Sequence, residues 1–287
     1  MAQISCMSFN VLACMGRDPN WEHASLRFPG VMRIIQAEMP DLIGIQEACS
    51  LFCEGSAHKD YCSFDWREQL IREMPALGYG YVALQEQKDF KLHRQHVTCG
   101  LMIFYKKDRF EIREDGCAEF EHDTHRYYQW ARLFDRDCGR DILFTNTHFS
   151  TNPGVLGQAS GVAGEAYRTI EAARLLNFWH NNCDENTALF ATGDYNSVPH
   201  SLTQQLLRSR QFQPSFLVAE EADERGTYHG AKAAHVLDYC FVNPSAQTVT
   251  KYYPITTRFE NPTGCKYGGF PSDHRAIMTY CNYKTEE

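Results

Sequence analysis

The sequence predicts a layered α/β fold in one domain spanning residues 1–287, and three observations predict it. First, a strand, a helix and a strand follow one another at Ile4–Leu12, Ala24–Met39 and Asp41–Glu47. That order is a crossover unit with parallel strands. Second, four apolar runs end in a polar group, at Asn10, Glu47, His148 and Asp194. In α/β folds, ligands collect outside strand ends. Third, no Pro/Ser-rich linker, repeat or low-complexity segment divides the 287 residues, and 43% of them are hydrophobic. That is enough for one sizeable core.

The first strand carries Asn10 at its end, where Asn also serves simply to open a loop. The helix Ala24–Met39 places Phe28, Val31, Ile34, Ile35 and Met39 at helical spacing and stops at Pro40. Asp41–Glu47 ends in a carboxylate, which parallel pairing with the first strand sets beside Asn10. Cys49, Cys53, His58 and Cys62 follow in a loop. They suit structural zinc, a disulfide or free thiols. Asp65–Met74 reads as a helix, and Gly78–Leu84 and Cys99–Tyr105 as strands. The polar segment Gln85–Thr98 between them is the most basic in the chain, either a solvated loop or a phosphate-facing one. Arg109–Glu114, Tyr128–Asp135 and Asp141–His148 continue the strands. Phe149–Gly164, rich in Gly, Ser, Thr and Asn, is expected as a long loop able to act as a lid. Glu165–Asn181 has helical spacing, Ser201–Arg208 is a short helix, and Val236–Val242 and Ala276–Cys281 are strands.

The chemistry concentrates in Gly193-Asp194-Tyr195-Asn196-Ser197-Val198-Pro199, after the apolar run Ala188–Thr192. Gly193 is expected to turn the chain. Asp194 and Asn196, two apart in extended backbone, point the same way. One can accept a proton while the other donates a hydrogen bond at one centre. The same residues also form an ordinary Asp/Asn turn. Asn10 and Glu47 offer oxygen ligands of the kind Mg²⁺ takes together with substrate phosphate. Asp238 lies in an apolar strand, where burial is costly without a partner or a cation. Asp273 and His274 add a carboxylate and an imidazole at one strand entry.

A formal net charge of -8 argues against coating nucleic acid through a broad basic face. It leaves room for a nuclease with a local basic patch, or one whose cations neutralise the substrate. The amino terminus has no signal-peptide pattern, and no apolar run approaches the roughly 18 residues of a membrane span. A cytoplasmic monomer is expected. In that setting most of the 12 cysteines are reduced, with Cys6, Cys240 and Cys281 buried in strands.

Six motifs in order carry a resemblance: Ser8-Phe9-Asn10, Ile45-Gln46-Glu47, Asn146-Thr147-His148, Gly193-Asp194-Tyr195-Asn196, Leu237-Asp238-Tyr239 and Ser272-Asp273-His274. Over nearly its whole length the chain resembles the endonuclease/exonuclease/phosphatase superfamily. The resemblance implies a four-layer α/β sandwich, two packed mixed β-sheets flanked by helices. It also implies hydrolysis of phosphate esters with Mg²⁺ or Mn²⁺. By motif, Glu47 is the main metal ligand, helped by Asn10 and Asp273. Asp194 activates or positions the attacking water, and Asn196 holds that water or a phosphate oxygen. His274, paired with Asp238, contacts the phosphate. His148 stabilises charge on the non-bridging oxygens, and Arg126 binds phosphate. Arg27-Phe28-Pro29, Gly100–Phe104 and Pro153, five residues after His148, are similar to the deadenylase and nocturnin branch, in which that proline faces a nucleobase. Ala233 stands where that branch has the opposing aromatic. Three functions follow: a phosphodiesterase on RNA or a nucleotide (a deadenylase-like 3′ exonuclease), a phosphatase or phosphodiesterase for a small metabolite, inositol phosphate or phospholipid headgroup, and a non-catalytic binding module. The intact set of polar residues speaks against the last.

Overall fold

Strand β1 (Gln3–Asn10) runs parallel to β2 (Leu42–Gln46), and helix α1 (Ala24–Glu38) connects them. Met39, at φ 45°, ends the helix before Pro40. Next come β3 (Leu51–Cys53), α2 (Trp66–Glu73), a 3₁₀ turn at Met74–Leu77, β4 (Tyr79–Tyr81), β5 (Phe90–Leu92), β6 (Gln95–Val97) and β7 (Met102–Lys106). The second half begins with β8 (Phe110–Glu119), β9 (Tyr127–Asp135), β10 (Arg140–His148), α3 (Gly161–Asn182), β11 (Ala188–Asp194) and α4 (Leu202–Leu207). The chain closes with β12 (Gln213–Pro214), α5 (Ser215–Val218), β13 (Glu221–Ala222), β14 (Asp238–Val242), β15 (Gln247–Pro254) and β16 (Ile277–Tyr283). This computed structural model describes residues 3–12, 24–49, 51–53, 64–83, 90–92, 95–97, 100–120, 126–151, 161–209, 211–223, 225–228, 235–258 and 270–284.

The strands form a seven-stranded sheet in the order β13-β15-β16-β1-β2-β7-β4 and a six-stranded sheet in the order β12-β14-β11-β10-β9-β8. Their inner faces share one core, in which Ile4, Cys6 and Ile277 meet Phe144, Phe190 and Cys240. The outer face of the larger sheet packs on α1 and α2 through Met7, Phe9, Ile35 and Leu70. That of the smaller sheet packs on α3 and α4 through Leu189, Phe241, Trp179 and Leu207. The result is the expected four-layer α/β sandwich. Such layering follows from sheets that are apolar on both faces; all seven residues of β11 are buried.

Two parallel pairs position the site. In β1–β2, Asn10 lies opposite Gln46, so Glu47 follows at the same end. In β10–β11, His148 lies opposite Asp194, and antiparallel β14 sets Asp238 opposite Asp194. Beneath this row the sheets touch through polar side chains. Gln46 Nε2 donates to Asn146 Oδ1 at 2.6 Å, Asn146 Nδ2 to the Ile45 carbonyl at 2.8 Å, and Thr192 Oγ1 bonds Asn146 Oδ1 at 3.2 Å. The approach is so close that a Cβ on Gly44 would lie 1.9 Å from Thr192 Oγ1.

Some sequence expectations differ from the structure. Gly193 is inside β11 and does not turn the chain. A Cβ there would meet the Thr147 carbonyl at 2.7 Å, so close packing explains it. The turn falls on Asn196, at φ 47°. Asn196 is therefore not in extended backbone, and the two-residue alternation stops at Asp194. β14 starts at Asp238, not Val236. β15 and the distal half of β8 are strands that sequence reading left unassigned, and Gln85–Thr98 contains β5 and β6, which join β3 in a small third sheet. Cys6, Cys240 and Cys281 are free and buried, as expected. Cys49 is buried. Cys53 ends β3, and His58 and Cys62, like Pro153, Ala233 and much of the Phe149–Gly164 segment, lie outside the described residues. No helix among the described residues is long and apolar enough to cross a membrane.

Candidate active site

The site is assembled from strand ends. Asn10, at the end of β1, turns its Nδ2 toward two carboxylates, Glu47 Oε1 at 3.1 Å and Asp194 Oδ2 at 3.0 Å. Its Oδ1 accepts from the Leu12 N–H at 3.0 Å. In this geometry Asn10 orients the acids through its amide hydrogens. Leu12, Glu47 and Asn196 all have positive φ, at 58°, 60° and 47°. Non-glycine residues pay for that conformation in strain, which clusters at functional sites.

Asp194 is the hub. Its Oδ1 accepts from the Asn196 N–H at 2.9 Å, while Oδ2 lies 3.4 Å from His148 Nε2 and 3.6 Å from His274 Nε2. Asn196 Nδ2 donates to the Phe149 carbonyl at 3.0 Å, tying down the turn after β11. On its other side, His274 Nδ1 is bonded to Asp238 Oδ2 at 2.9 Å. Ligand atoms of Asp194, Asp238 and His274 all lie within 4.8 Å of one another. Ser272 Oγ bonds the Asn10 carbonyl at 2.7 Å, which brings Asp273 and His274 to the end of β1. Arg126 is half-buried on the entry to β9.

Electrostatics separates the two histidines. Burial, then Arg126, then His274 hold His148 well below the usual imidazole range, so it is neutral. Burial works against charge on His274 too, but Asp238 and then Asp194 outweigh it and hold the ring cationic. Burial pushes Asp194 up to about 7 against the pull of His274. It pushes Asp273 up to about 6, again opposed by His274, with Glu47 adding repulsion. Groups whose environments drive their pKa values apart divide acid and base roles between them.

The donor set fits a hard divalent cation. Glu47, Asp194, Asp238 and Asp273 crowd together, and their mutual repulsion is what a bound cation would relieve. Asp238 Oδ1 and His148 Nε2 are buried with no hydrogen-bond partner. Oxygen donors of this kind select Mg²⁺-, Mn²⁺- or Ca²⁺-type ions over softer ones. Glu47, with its side chain 26% exposed, is the most accessible of these acids.

Two residues that sequence reading gave no role complete the surroundings. Arg27 is 4% exposed. Its guanidinium donates to the Val11 and Leu12 carbonyls, each at 2.7 Å, and to the Pro271 carbonyl at 3.0 Å. It therefore ties the segment after Asn10 to the turn before Asp273. The available signal was its place on the apolar stripe of α1, four residues before Val31. Tyr228 packs its ring on His274 with centroids 5.0 Å apart.

A family model described as Endonuclease/Exonuclease/phosphatase family matches residues 7–274. No curated protein matches the chain by sequence. Among solved structures, the chain is similar to an endonuclease/exonuclease/phosphatase family protein from Bacteroides thetaiotaomicron (19% identity, 99% of each chain covered, TM-score 0.75). It is similar to a mannosyl-6-phosphatase of the same organism (20% identity, 97% of this chain and 99% of that one, TM-score 0.73). It is also similar to the human Nocturnin catalytic domain, solved with a bound sulfate anion (19% identity, 98% and 95%, TM-score 0.70).

Proposed function

The chain belongs to the endonuclease/exonuclease/phosphatase family, whose members are metal-dependent phosphoester hydrolases, and from that premise we propose that it hydrolyses phosphodiester bonds in RNA or a nucleotide-containing substrate with Mg²⁺ or Mn²⁺. The observation that carries the hydrolytic reading is the row His148, Asp194, Asp238 with His274 between the two acids.

Asp194, pushed up to about 7, is matched to taking a proton from water near neutrality. The cationic His274, fixed in one tautomer by Asp238, faces the phosphoryl oxygens. Neutral His148 donates or accepts a hydrogen bond there without adding charge. Arg126 approaches the same oxygens. Asn196 fixes the Asp194 carboxylate through its backbone N–H. Glu47 and Asp273 would hold the cation, with Asn10 orienting Glu47. The bound ion supplies charge neutralisation and polarisation of the phosphoryl group.

A second reading, hydrolysis of a small phosphorylated metabolite, is favoured by the net charge of -8, because a polynucleotide needs positive surface along its path. Solved relatives carry names from both sides, Nocturnin and a mannosyl-6-phosphatase. A substrate panel with Mg²⁺ and with EDTA decides: labelled poly(A), mixed RNA, single- and double-stranded DNA, NADPH, inositol phosphates and sphingomyelin. Metal-dependent 3′ shortening of RNA supports the first reading. Turnover of small phosphates alone supports the second. Binding without any turnover overturns both.

A further inference from the structure

Three arginines gather beside the catalytic histidine in a chain whose net charge is -8. Arg275 follows His274 directly, and its guanidinium bonds the Gly226 carbonyl at 3.2 Å. Arg258 and Arg275 both lie over the Phe270 ring, at 5.7 and 5.3 Å from its centroid. Arg225 belongs to the short segment 225–228, which also supplies Thr227 and Tyr228 to the site. Thr227 Oγ1 accepts from the Asp238 N–H at 3.1 Å, and Tyr228 packs on His274. Backbone pairing fixes the arrangement, with Tyr228 bridged to His274 and the Arg275 N–H donating to the Thr227 carbonyl at 2.7 Å.

Among the described residues the positive charge is only partly paired. Asp223 is bonded by Arg225 Nε at 2.9 and 2.8 Å. Among the described residues, no carboxylate lies within ion-pair distance of Arg258 or Arg275. Arg225 is thus already paired with Asp223, while Arg275 Nε is buried without an acceptor among the described residues. Holding like charges together costs free energy unless an anion joins them. Guanidinium forks match phosphate geometry in two-point contacts.

We propose that Arg225, Arg258 and Arg275 form a second anion site, which takes a non-scissile phosphate of the substrate. This rests on the phosphoesterase reading and narrows it: the substrate carries at least two phosphates, either along a nucleotide strand or on one small molecule.

The test compares the wild type with Arg258→Ala, Arg275→Gln and the double variant, in Mg²⁺, on three substrates. These are bis(p-nitrophenyl) phosphate with one phosphate, a short oligoadenylate, and adenosine 3′,5′-bisphosphate. The expected result is one-phosphate turnover within about twofold of wild type. On a multiply phosphorylated substrate, KM rises about tenfold per lost arginine with kcat nearly unchanged, the size of a lost charge-assisted bond. Loss on the oligoadenylate alone assigns the second phosphate to a strand, and loss on the bisphosphate as well assigns it to a compact molecule. An equal loss on all three substrates, or none on any, overturns the proposal. Arg258 is exposed, so its variant guards against misfolding of the Arg275 variant. Titration of inorganic pyrophosphate into metal-free protein reads the patch without turnover. Binding that the double variant loses supports the site even where the hydrolytic reading fails, and equal binding by both proteins overturns it.

Discussion

His274 stands between two acids that face each other across the β11–β14 ladder, its Nδ1 2.9 Å from Asp238 and its Nε2 3.6 Å from Asp194. Asp238 holds the ring cationic and aims the other nitrogen at Asp194. Replacing Asp238 with Asn keeps the shape but removes the charge that stabilises the imidazolium. His274 then loses its proton at lower pH, and the alkaline limb of the kcat/KM profile moves to lower pH. Measuring that profile alongside the His274 imidazole resonance checks it. An unmoved limb would show that His274 does not act as a cation.

Glu47→Ala and Asp194→Ala are each expected to cut kcat by on the order of a hundredfold or more at saturating Mg²⁺. The fold should survive. Asp194 is buried among other acids, so Asp194→Asn relieves repulsion and leaves the melting temperature in EDTA equal or higher. Near wild-type turnover in either alanine variant would remove that residue from the mechanism.

The metal-free protein should lose stability as pH rises from about 6.5 to about 8. In the folded state Asp194 is raised to about 7 and His274 is raised well above its usual value. A group raised on folding stabilises below its unfolded pKa, and that stability is lost as pH climbs through the folded one. His148 works the other way, because its folded pKa is depressed. Its contribution is complete above about 6.5, the unfolded value, so only the losses remain beyond that point. Mg²⁺ competes with protons for the same carboxylates, so the melting-temperature gain on adding Mg²⁺ should be larger at pH 8 than at pH 6.5. Thermal melts with EDTA and with Mg²⁺ test both slopes.

Much of the site was legible because its residues terminate apolar runs. A polar group after Ile4–Phe9 or Ala188–Thr192 has nowhere to go but the end of a sheet. Parallel pairing then sets Glu47 beside Asn10. What stayed hidden depends on tertiary partners. β15 mixes Lys251 and three threonine or glutamine side chains with its apolar residues, and its weak alternation gains meaning only beside β16. Gly193 reads as a turn residue until the Thr147 carbonyl is seen against it. Arg27 shares the apolar stripe of α1, but what it does there shows only with its carbonyl partners at Val11, Leu12 and Pro271.

Arg27→Lys separates charge from geometry. Lysine keeps the cation but cannot present a fork to the Val11, Leu12 and Pro271 carbonyls together. Buried carbonyls left unmet cost about 1–3 kcal/mol each, so the melting temperature should fall clearly. Because those segments carry Asn10 and Asp273, the Mg²⁺ concentration for half-maximal activity should also rise. A lower melting temperature with unchanged Mg²⁺ dependence would confine Arg27 to stability.

Gly44→Ala tests the closeness of the sheets beneath the site. The new methyl would sit 1.9 Å from Thr192 Oγ1 and 2.8 Å from Asn146 Oδ1. Neither neighbour is free to move: Thr192 Oγ1 bonds the Thr145 carbonyl at 3.1 Å, and Asn146 is held from both sheets. The sheets must separate or the polar layer must break, at about 1–3 kcal/mol or more. Thr192→Ala removes the nearer clash, so Gly44→Ala with Thr192→Ala should be more stable than the sum of the single effects predicts. Urea unfolding of the two singles and the double measures that coupling, and strict additivity would mean that the β2–β11 contact is looser than 1.9 Å implies. A gap opened there also shifts Glu47 and Asp194, which end the same two strands, so kcat should fall further than stability alone explains.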